Sequence, residues 1–231
     1  IGLATRVLAD MPDLERAYGT RLSVELWSIA AFLYVLPVYF IAKGGFSGAM
    51  LGMAVFTGLL GLGAALFPKR TTIGEKIKYP AWSEASRAWI LIGVFLLYLL
   101  VNVALFFFLA VIAKNYSPSE KEIGLMFLVL KWLGGGAGAV GAIIGMRAGF
   151  KPPHIIALVI LLIGIAGMWL APNFKVFMVS SWIWEVGFTL GCLYATTAIT
   201  RFDPSKKLVV LVPATFGVSM VVGGKIGGKL L

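Results

Sequence analysis

Charged side chains are scarce in this sequence, and cysteine and histidine are almost missing. Of its 231 residues only 13% are Asp, Glu, Lys or Arg, whereas a soluble domain carries about 25%. The single cysteine, Cys192, excludes an intrachain disulfide, and the single histidine, His154, argues against a haem or a multi-histidine metal site. Apolar residues make up 60% of the chain, and the mean hydropathy is +0.95. The composition predicts a polytopic membrane protein.

Catalytic and cofactor-binding patterns are also missing from the sequence. It contains no Ser/His/Asp set, no metal-ligand spacing and no phosphate loop, and its loops offer no acid–base set for an enzyme acting on lipid. The letters G-x-G-x-x-G occur at Gly136, Gly138 and Gly141, but a dinucleotide site needs a preceding strand and an acidic residue about 20 positions later, where Leu161 stands. We therefore expect no enzyme activity, no cofactor and no direct use of ATP.

Seven hydrophobic segments approach or reach the length of about 20 residues that a helix needs to cross a bilayer. Lipid offers no hydrogen-bond partner to an exposed backbone, so the fold class we predict is an all-α transmembrane helix bundle. The predicted spans are Leu22–Ala42, Gly45–Phe67, Trp89–Ala113, Ile123–Ile144, His154–Ala171, Val176–Thr200 and Leu208–Gly228.

Basic residues are distributed unevenly between the two sets of connections. The segments 1–21, 68–88, 145–153 and 201–207 hold thirteen Lys and Arg residues, whereas 43–44, 114–122 and 172–175 hold four. Cytoplasmic loops of membrane proteins are enriched in these residues, so the first set, with the N-terminus of this chain, is predicted to be cytoplasmic. The net charge of +10 is thereby explained without a nucleic-acid partner.

The ends of the sequence indicate a longer polypeptide, and its longest polar connection indicates two helix bundles. The chain begins with Ile1, shows no signal-peptide pattern, and ends at Leu231 without a polar tail. With an odd number of spans, these ends lead us to expect a fragment of a longer polypeptide. The polar segment 68–88 is predicted to be a cytoplasmic linker between two bundles, and an ordinary basic surface loop is the alternative.

Small residues recur at four-residue spacing within several spans. Gly134, Gly138 and Ala142 are predicted to form one smooth face of the fourth span, against which a neighbouring helix can pack closely. Such a face suits helices that slide against one another, and it equally suits a static bundle. The same spacing, together with two in-span prolines, is found at Gly48/Gly52, Gly223/Gly227, Gly224/Gly228, Pro37 and Pro213.

Two ionisable residues lie deep inside the predicted spans, whereas Glu25 and Lys225 lie near span ends. Lys131 is eight residues into the fourth span and Glu185 nine residues into the sixth, which is roughly 12 Å and roughly 13–14 Å at about 1.5 Å per residue. Both spans start on the same side, so the opposite charges lie at matching depth and can pair or line a wet cavity. One hypothesis is that the pair only holds two helices together. The other is that it recognises a substrate or couples transport to protons.

Aromatic and amide side chains flank the two deep charges. Trp182 and Trp184 adjoin Glu185 in sequence, and Asn102 lies midway along the third span. A wet path lined by these residues suits an amphipathic or organic solute better than a bare ion. Tryptophans anchored in lipid or packed between helices are the alternative interpretation.

Short motifs make the chain resemble the major facilitator superfamily of secondary transporters. After the fourth span, "MRAGFK" is similar to the family's second cytoplasmic gating motif, R-x-G-x-K, through Arg147, Gly149 and Lys151, although Met146 stands where the family has an aspartate. The final "VGGKIGGKLL" resembles the glycine-rich end of the family's helix eleven. The opening "LADMPDLERAYGTR" resembles the loop before helix five, with a likeness to cation-coupled sugar symporters.

The resemblance implies a division of the chain within a twelve-helix plan of two six-helix halves. The sequence matches helices five to eleven of that plan. Residues 1–67 would then hold the last two helices of the N-terminal bundle, 68–88 the central cytoplasmic loop, and 89–231 five helices of the C-terminal bundle, whose sixth is absent.

The function implied by the resemblance is secondary active transport of a small organic solute by alternating access, coupled to protons or to a cation such as sodium. The predicted location is the inner or plasma membrane of a prokaryote, in contact with membrane lipids. A non-transporting scaffold or assembly factor on the same fold is the alternative. The residues expected to act on substrate or coupling are Lys131, Glu185, Asn102, Trp182 and Trp184, and those expected at a cytoplasmic gate are Arg147, Gly149 and Lys151.

Overall fold

Helices account for all the regular structure of the residues that the computed structural model describes, which are 8–62, 79–145, 147 and 149–230. This is the outcome expected for apolar segments whose backbone groups must be satisfied internally. The seven helices in these ranges are α1 (Leu14–Val35), α2 (Ala42–Leu62), α3 (Trp82–Lys114), α4 (Glu120–Ile144), α5 (Lys151–Trp169), α6 (Phe174–Phe202) and α7 (Val212–Leu230).

Five helices within the described ranges are long and apolar enough to cross a membrane. They are Trp82–Lys114, Lys121–Ile144, Lys151–Trp169, Phe174–Phe202 and Leu208–Lys225. These match the last five predicted spans, so the membrane character of the chain is confirmed. The first predicted span overlaps the second half of α1 and the helical segment after it, and the second overlaps α2. Their crossing of the membrane stays a prediction, and the end of the second, 63–67, lies outside the described residues.

Polar side chains mark where several helices begin. The carboxylate of Asp13 accepts a hydrogen bond from the backbone N–H of Arg16 at the start of α1. Ser119 and Glu122 form a reciprocal capping box at the start of α4, and Asn173 accepts from the backbone N–H of Val176 at the start of α6. These caps satisfy N–H groups that have no partner within the helix.

The connection between α1 and α2 is a bend rather than the predicted two-residue loop at 43–44. The chain passes through a π-helical segment, Leu36–Ile41, and then kinks at Gly45, whose φ of +51° is open to glycine at little cost. Pro37 lies in the π-helical segment, where its missing N–H interrupts the regular α-helical hydrogen bonds.

The predicted linker 68–88 is described only in its final part. Residues 68–78 lie outside the described ranges, and residues 82–88 already form the first turns of α3. A break at Ala85, where φ is −141° and ψ is 37°, separates this short start from the long apolar remainder of α3.

Helix α6 lies at the centre of the bundle. It packs against α5, α4, α3 and α1, and 17 of its 29 residues are buried. Helix α1 packs along α4, α3 packs along α7, and α2 contacts chiefly the π-helical segment before it. The deep charge on α6 is therefore surrounded by other helices and not by lipid.

The predicted smooth face of α4 is confirmed, and its partner is α1. A Cβ atom added to Gly19 of α1 would lie 2.6 Å from the Cβ of Ala142, and one added to Gly138 would lie 2.8 Å from the hydroxyl of Ser23. The backbones of the two helices approach so closely that a larger side chain at Gly19 or Gly138 does not fit.

Glycines at the other predicted faces differ in how closely neighbouring residues approach them. Gly52 packs against Leu36, and a Cβ atom at Gly223 would lie 3.3 Å from the backbone of Ala104 on α3. Gly224 and Gly228 have no atom within 4 Å of such a Cβ. Among these described glycines of α7, Gly223 therefore makes a close helix contact and the other two do not.

A second close crossing joins α5 and α6 and was not predicted. A Cβ atom at Gly164 would lie 2.3 Å from the backbone nitrogen of Trp184, and one at Gly187 would lie 2.4 Å from that of Leu161. Each glycine therefore accommodates the backbone of the facing helix.

Replacing Gly164 by alanine is expected to destabilise the bundle by about 1–3 kcal/mol, because the added methyl meets backbone that cannot rotate away. The matched control is Gly136→Ala in α4, where no atom lies within 4 Å of the added methyl and the better helix propensity of alanine should leave stability equal or raised. Thermal unfolding of both variants in detergent checks this; equal melting temperatures would contradict the close crossing.

Candidate functional site

A buried ion pair joins α4 to α6 at the depth that the sequence indicates. The ammonium Nζ of Lys131 donates to Oε1 of Glu185 at 2.8 Å. Glu185 is 0% exposed and Lys131 is 7% exposed. Each group supplies the counter-charge that the other needs away from water, so the pair is the most polar feature in the middle of the bundle.

A glycine and an aromatic ring shape the surroundings of the pair. A Cβ atom at Gly134, three residues after Lys131, would lie 3.0 Å from Oε1 of Glu185, so the absence of a side chain there makes room for the carboxylate. On the α3 side, Nζ of Lys131 lies 4.3 Å from the centre of the Phe106 ring, within the range of a cation–π contact.

The second carboxylate oxygen of Glu185 is left without a partner. Its Oε2 atom is buried and accepts no hydrogen bond from any described residue. A buried acceptor without a donor is costly, and a carboxylate with one free oxygen can take up a proton there or accept a hydrogen bond from a bound solute.

Asn102 and Trp184 bind each other instead of the charged pair. The indole Nε1 of Trp184 donates to Oδ1 of Asn102 at 2.8 Å, and Nδ2 of Asn102 donates to the carbonyl of Tyr98 at 2.8 Å. Both side chains are buried, and the indole of Trp184 stacks on Phe188 with ring centres 5.7 Å apart. These contacts join α3 to α6 next to the ion pair.

Trp182 lies on the other side of Glu185 and binds α4. Its Nε1 donates to the backbone carbonyl of Met126 at 3.0 Å. Trp182 and Trp184 therefore tie α6 to two different helices, and Glu185 lies between these two attachments. Of the five predicted substrate or coupling residues, the structure brings Lys131 and Glu185 into direct contact, while the other three bond to α3, α6 or α4.

The three predicted gate residues lie after α4, but they do not form one cluster. Arg147 is exposed and lines a cavity between α1 and α4, whereas Lys151 is the first residue of α5 and lines a smaller cavity beside Phe150. Gly149 has a φ of +89°, in the left-handed region that favours glycine. Met146 lies outside the described residues.

A second ion pair at the basic end of the bundle was missed by the sequence reasoning. Glu15 at the start of α1 is 4% exposed and pairs with Arg201 at the end of α6. Nothing near Glu15 in sequence marks it as buried, since it occupies the first turn of a helix, where acidic residues are common.

A tyrosine strengthens the same junction of α1 with α6. The hydroxyl of Tyr18 lies 3.1 Å from Oγ1 of Thr200, whose own hydrogen is donated to the carbonyl of Thr196. Tyr18 is therefore the donor to Thr200. Burial raises the pKa of Tyr18, which keeps the phenol protonated for this bond.

The described residues contain no group of three or more His, Cys, Asp or Glu side chains placed to hold a metal ion. His154 lies at the start of α5, where its Nδ1 is 2.7 Å from the carbonyl of Phe150. The ring is thus engaged with the backbone of its own helix.

Comparison with known proteins finds no matching family model, no matching curated protein and no matching solved structure.

The buried pair is expected to behave as one energetic unit. Lys131→Met leaves the Glu185 carboxylate without its counter-charge and should cost about 3–5 kcal/mol of stability if that carboxylate stays charged. Adding Glu185→Gln removes the charge, so the double variant should be less destabilised than the sum of the two single changes. Thermal or denaturant unfolding in detergent measures this coupling.

The matched control combines Lys131→Met with Ser219→Ala. Ser219 is also fully buried, but its hydroxyl bonds to Thr215 within its own helix, α7. These two changes should add, because the residues share no partner. Additive costs in the Lys131/Glu185 cycle as well would contradict an energetically coupled pair.

Proposed function

We propose that this chain acts in a secondary active transporter, which moves a small organic solute across a membrane by alternating access and couples that movement to protons. The observation that carries the proposal is the buried ion pair of Lys131 and Glu185, in which one carboxylate oxygen has no partner among the described residues. Ionisable residues inside a membrane bundle are costly, and they commonly mark substrate or proton pathways.

The free oxygen of Glu185 favours a working role for the pair over a purely structural one. A pair kept only to pin two helices gains stability from complete hydrogen bonding, and apolar side chains of similar volume serve that purpose equally well or better. Here Oε2 of Glu185 is buried, and the part of the chain that the structure describes offers it no donor. The site thus retains a position at which a proton or a solute hydroxyl can be bound.

Protonation of Glu185 would change the state of Lys131. Once the carboxyl group is neutral, the ammonium of Lys131 loses its counter-charge and retains chiefly the contact with the Phe106 ring. A solute oxygen that approaches Lys131 then replaces the lost partner. Proton binding and solute binding are in this way coupled through one lysine, as symport requires.

Other titratable groups near Glu185 bear on its protonation. Lys131 faces it from α4, Tyr98 from α3 and Cys192 from about two turns further along α6. Glu25 on α1 lies further out, in an exposed pair with Arg21. Lys131 is the only cation among the described residues that contacts the carboxylate directly. The state of Lys131 therefore dominates the electrostatics at Glu185.

The packing of α1 on α4 supports motion between two bundles. If residues 1–67 belong to one bundle and 89–231 to the other, this crossing is a contact between them. Its centre consists of Gly19, Gly138 and Ala142, which present no large side chains to interlock. Such a surface permits rocking about a mid-membrane site, as inverted-repeat transporters do.

The pair of Glu15 with Arg201 is suited to close the basic side of that assembly. It joins the start of α1 to the end of α6, and Arg147 lies on the same cavity. Opening of this side would separate Glu15 from Arg201. The predicted gate of Arg147, Gly149 and Lys151 is extended by this proposal to include the missed pair.

A scaffold or assembly factor on the same fold is the second candidate. It is favoured by the dense bonding on both sides of Glu185, where Trp184 bonds to Asn102 and Trp182 bonds to Met126. In a scaffold the pair would hold α4 against α6 permanently. The two candidates differ in whether the bundle changes shape and whether solute moves.

Spin labels across the α1–α4 crossing are expected to report two conformations. Labels at Thr20→Cys and Ile144→Cys, both exposed positions, can be placed in a Cys192→Ser background, since Cys192 is the only native cysteine. Replacing Glu185 by glutamine removes the charge that holds Lys131, so it should break the pair and shift the distance distribution.

The matched control carries the same labels with Ser219→Ala, which leaves the Lys131–Glu185 pair intact because its hydroxyl bonds to Thr215 within α7. Its distance distribution should resemble that of the labelled protein with both charges. A single distance that is the same in all three proteins would argue for the scaffold.

Solute transport is expected to depend on both charges. In proteoliposomes with a trapped pH indicator and a panel of sugars, amino acids and organic acids, Lys131→Met and Glu185→Gln should lower proton-linked uptake at least about tenfold, the effect of about 1.4 kcal/mol at a rate-limiting step. Lys114→Gln, an exposed cation at one end of α3, is the control and should transport normally.

Folding must be assessed beside transport in each variant. Loss of uptake with an unchanged melting temperature supports the transporter. Normal uptake with a lowered melting temperature would assign the pair to structure alone and overturn the proposed coupling role.

A further inference from the structure

A groove between α1 and α4 opens at the basic end of the bundle. Its volume is about 660 Å³, and it runs along the crossing on the side that carries Arg16, Val24 and Trp27 of α1. The close contact of Gly19 with Ala142 brings the two helices together beside it. The groove is separate from the Lys131–Glu185 pair, neither of whose residues lines it.

Two arginines at the end of the groove form no ion pair with other described residues. Three arginines and two carboxylates line it; of these, Arg201 is paired with Glu15, and Asp13 caps the start of α1. Arg16 and Arg147 are both exposed and form no ion pair with any other described residue. This end is therefore complementary to an anionic group.

The remainder of the groove is apolar and open to the side. Val24 is 57% exposed and Ile143 is 72% exposed, and Trp27 lies at the far end. From Arg16 to Trp27 is eleven residues of one helix, roughly 16 Å at about 1.5 Å per residue. The first predicted span begins at Leu22, so Arg16 lies at the headgroup level and Trp27 lies roughly 7–8 Å inside the hydrocarbon core at about 1.5 Å per residue. The groove thus runs from the headgroup region into one leaflet.

We infer that this groove binds one anionic phospholipid, with its phosphate between Arg16 and Arg147 and one acyl chain lying along Val24 and Ile143 toward Trp27. The charged end and the apolar length occur in the order in which a phospholipid presents its headgroup and chain. The charged end is also the one predicted to be cytoplasmic, and anionic lipids are concentrated in that leaflet.

The position of the groove favours a lipid over a soluble anion. A water-soluble phosphate ester would use the arginines but leave the apolar walls at Val24 and Ile143 unexplained. A lipid explains both, and Thr20 lies between the two regions at the level where ester oxygens follow a phosphate. This inference does not depend on transport.

The test is a lipid titration of the full purified chain, followed by native mass spectrometry. Phosphatidylglycerol should bind as one tight equivalent, and phosphatidylcholine should not. Because each surface cation contributes about a fivefold change in affinity for anionic lipid, Arg16→Gln combined with Arg147→Gln should weaken that equivalent roughly 25-fold.

The matched control removes two other exposed cations, Lys114→Gln with Lys175→Gln, so that the net charge falls equally outside the groove. It should change the affinity less than about threefold, the scale of general electrostatics. A second variant, Ala139→Phe, fills the groove without changing charge and should also displace the lipid. It keeps the test decisive if the arginine variant fails to fold.

Three results would overturn the inference. Equal weakening in both charge variants would leave only general attraction to an anionic surface. Equal binding of phosphatidylcholine would make the groove an unselective apolar surface. Displacement of the bound lipid by inorganic phosphate or glycerophosphoglycerol, with unchanged binding in Ala139→Phe, would make the arginines a site for a soluble anion.

Discussion

The contact between the ammonium of Lys131 and the carboxylate of Glu185 is the interaction on which the arrangement of the bundle depends most. A charge at the centre of a bilayer costs about 3 kcal/mol or more, and these two residues avoid that cost only by remaining together. Their contact requires α4 and α6 to be neighbours and fixes how far each is shifted along the other. Once this register is set, Gly134 of α4 lies over the carboxylate.

Small residues then determine which other helices can approach. On α4, Gly138 and Ala142 present a flat surface that receives α1, whereas on α6, Gly187 receives the backbone of α5. In lipid there is no hydrophobic gain from bringing helices together, so contact area gained by close approach is a main source of association. The central position of α6 thus follows from glycines on its neighbours and on itself as much as from its buried charge.

Features determined by a single segment can be predicted from the sequence. A contact between residues far apart in the chain generally cannot, because neither segment alone indicates it. Membrane-length helices, the depths of Lys131 and Glu185, and the small face of α4 follow from local composition. The pairing of Glu15 with Arg201 does not, because 186 positions separate them and each looks like an ordinary helix-end charge. The bond between Asn102 and the indole of Trp184 also joins two helices, and neither segment alone indicates it.

Helix α6 contributes one residue to the Lys131–Glu185 pair and one to the Glu15–Arg201 pair. It therefore connects the centre of the bundle with its basic end. Glu185 and Arg201 are sixteen residues apart on one continuous helix, roughly 24 Å at about 1.5 Å per residue. One pair binds α6 to α4, and the other binds it to α1. A helix is stiff over this length, so a tilt of α6 that follows loss of the deep pair also moves Arg201 relative to Glu15. Loss of the deep pair therefore has a direct mechanical route to the contact of Glu15 with Arg201.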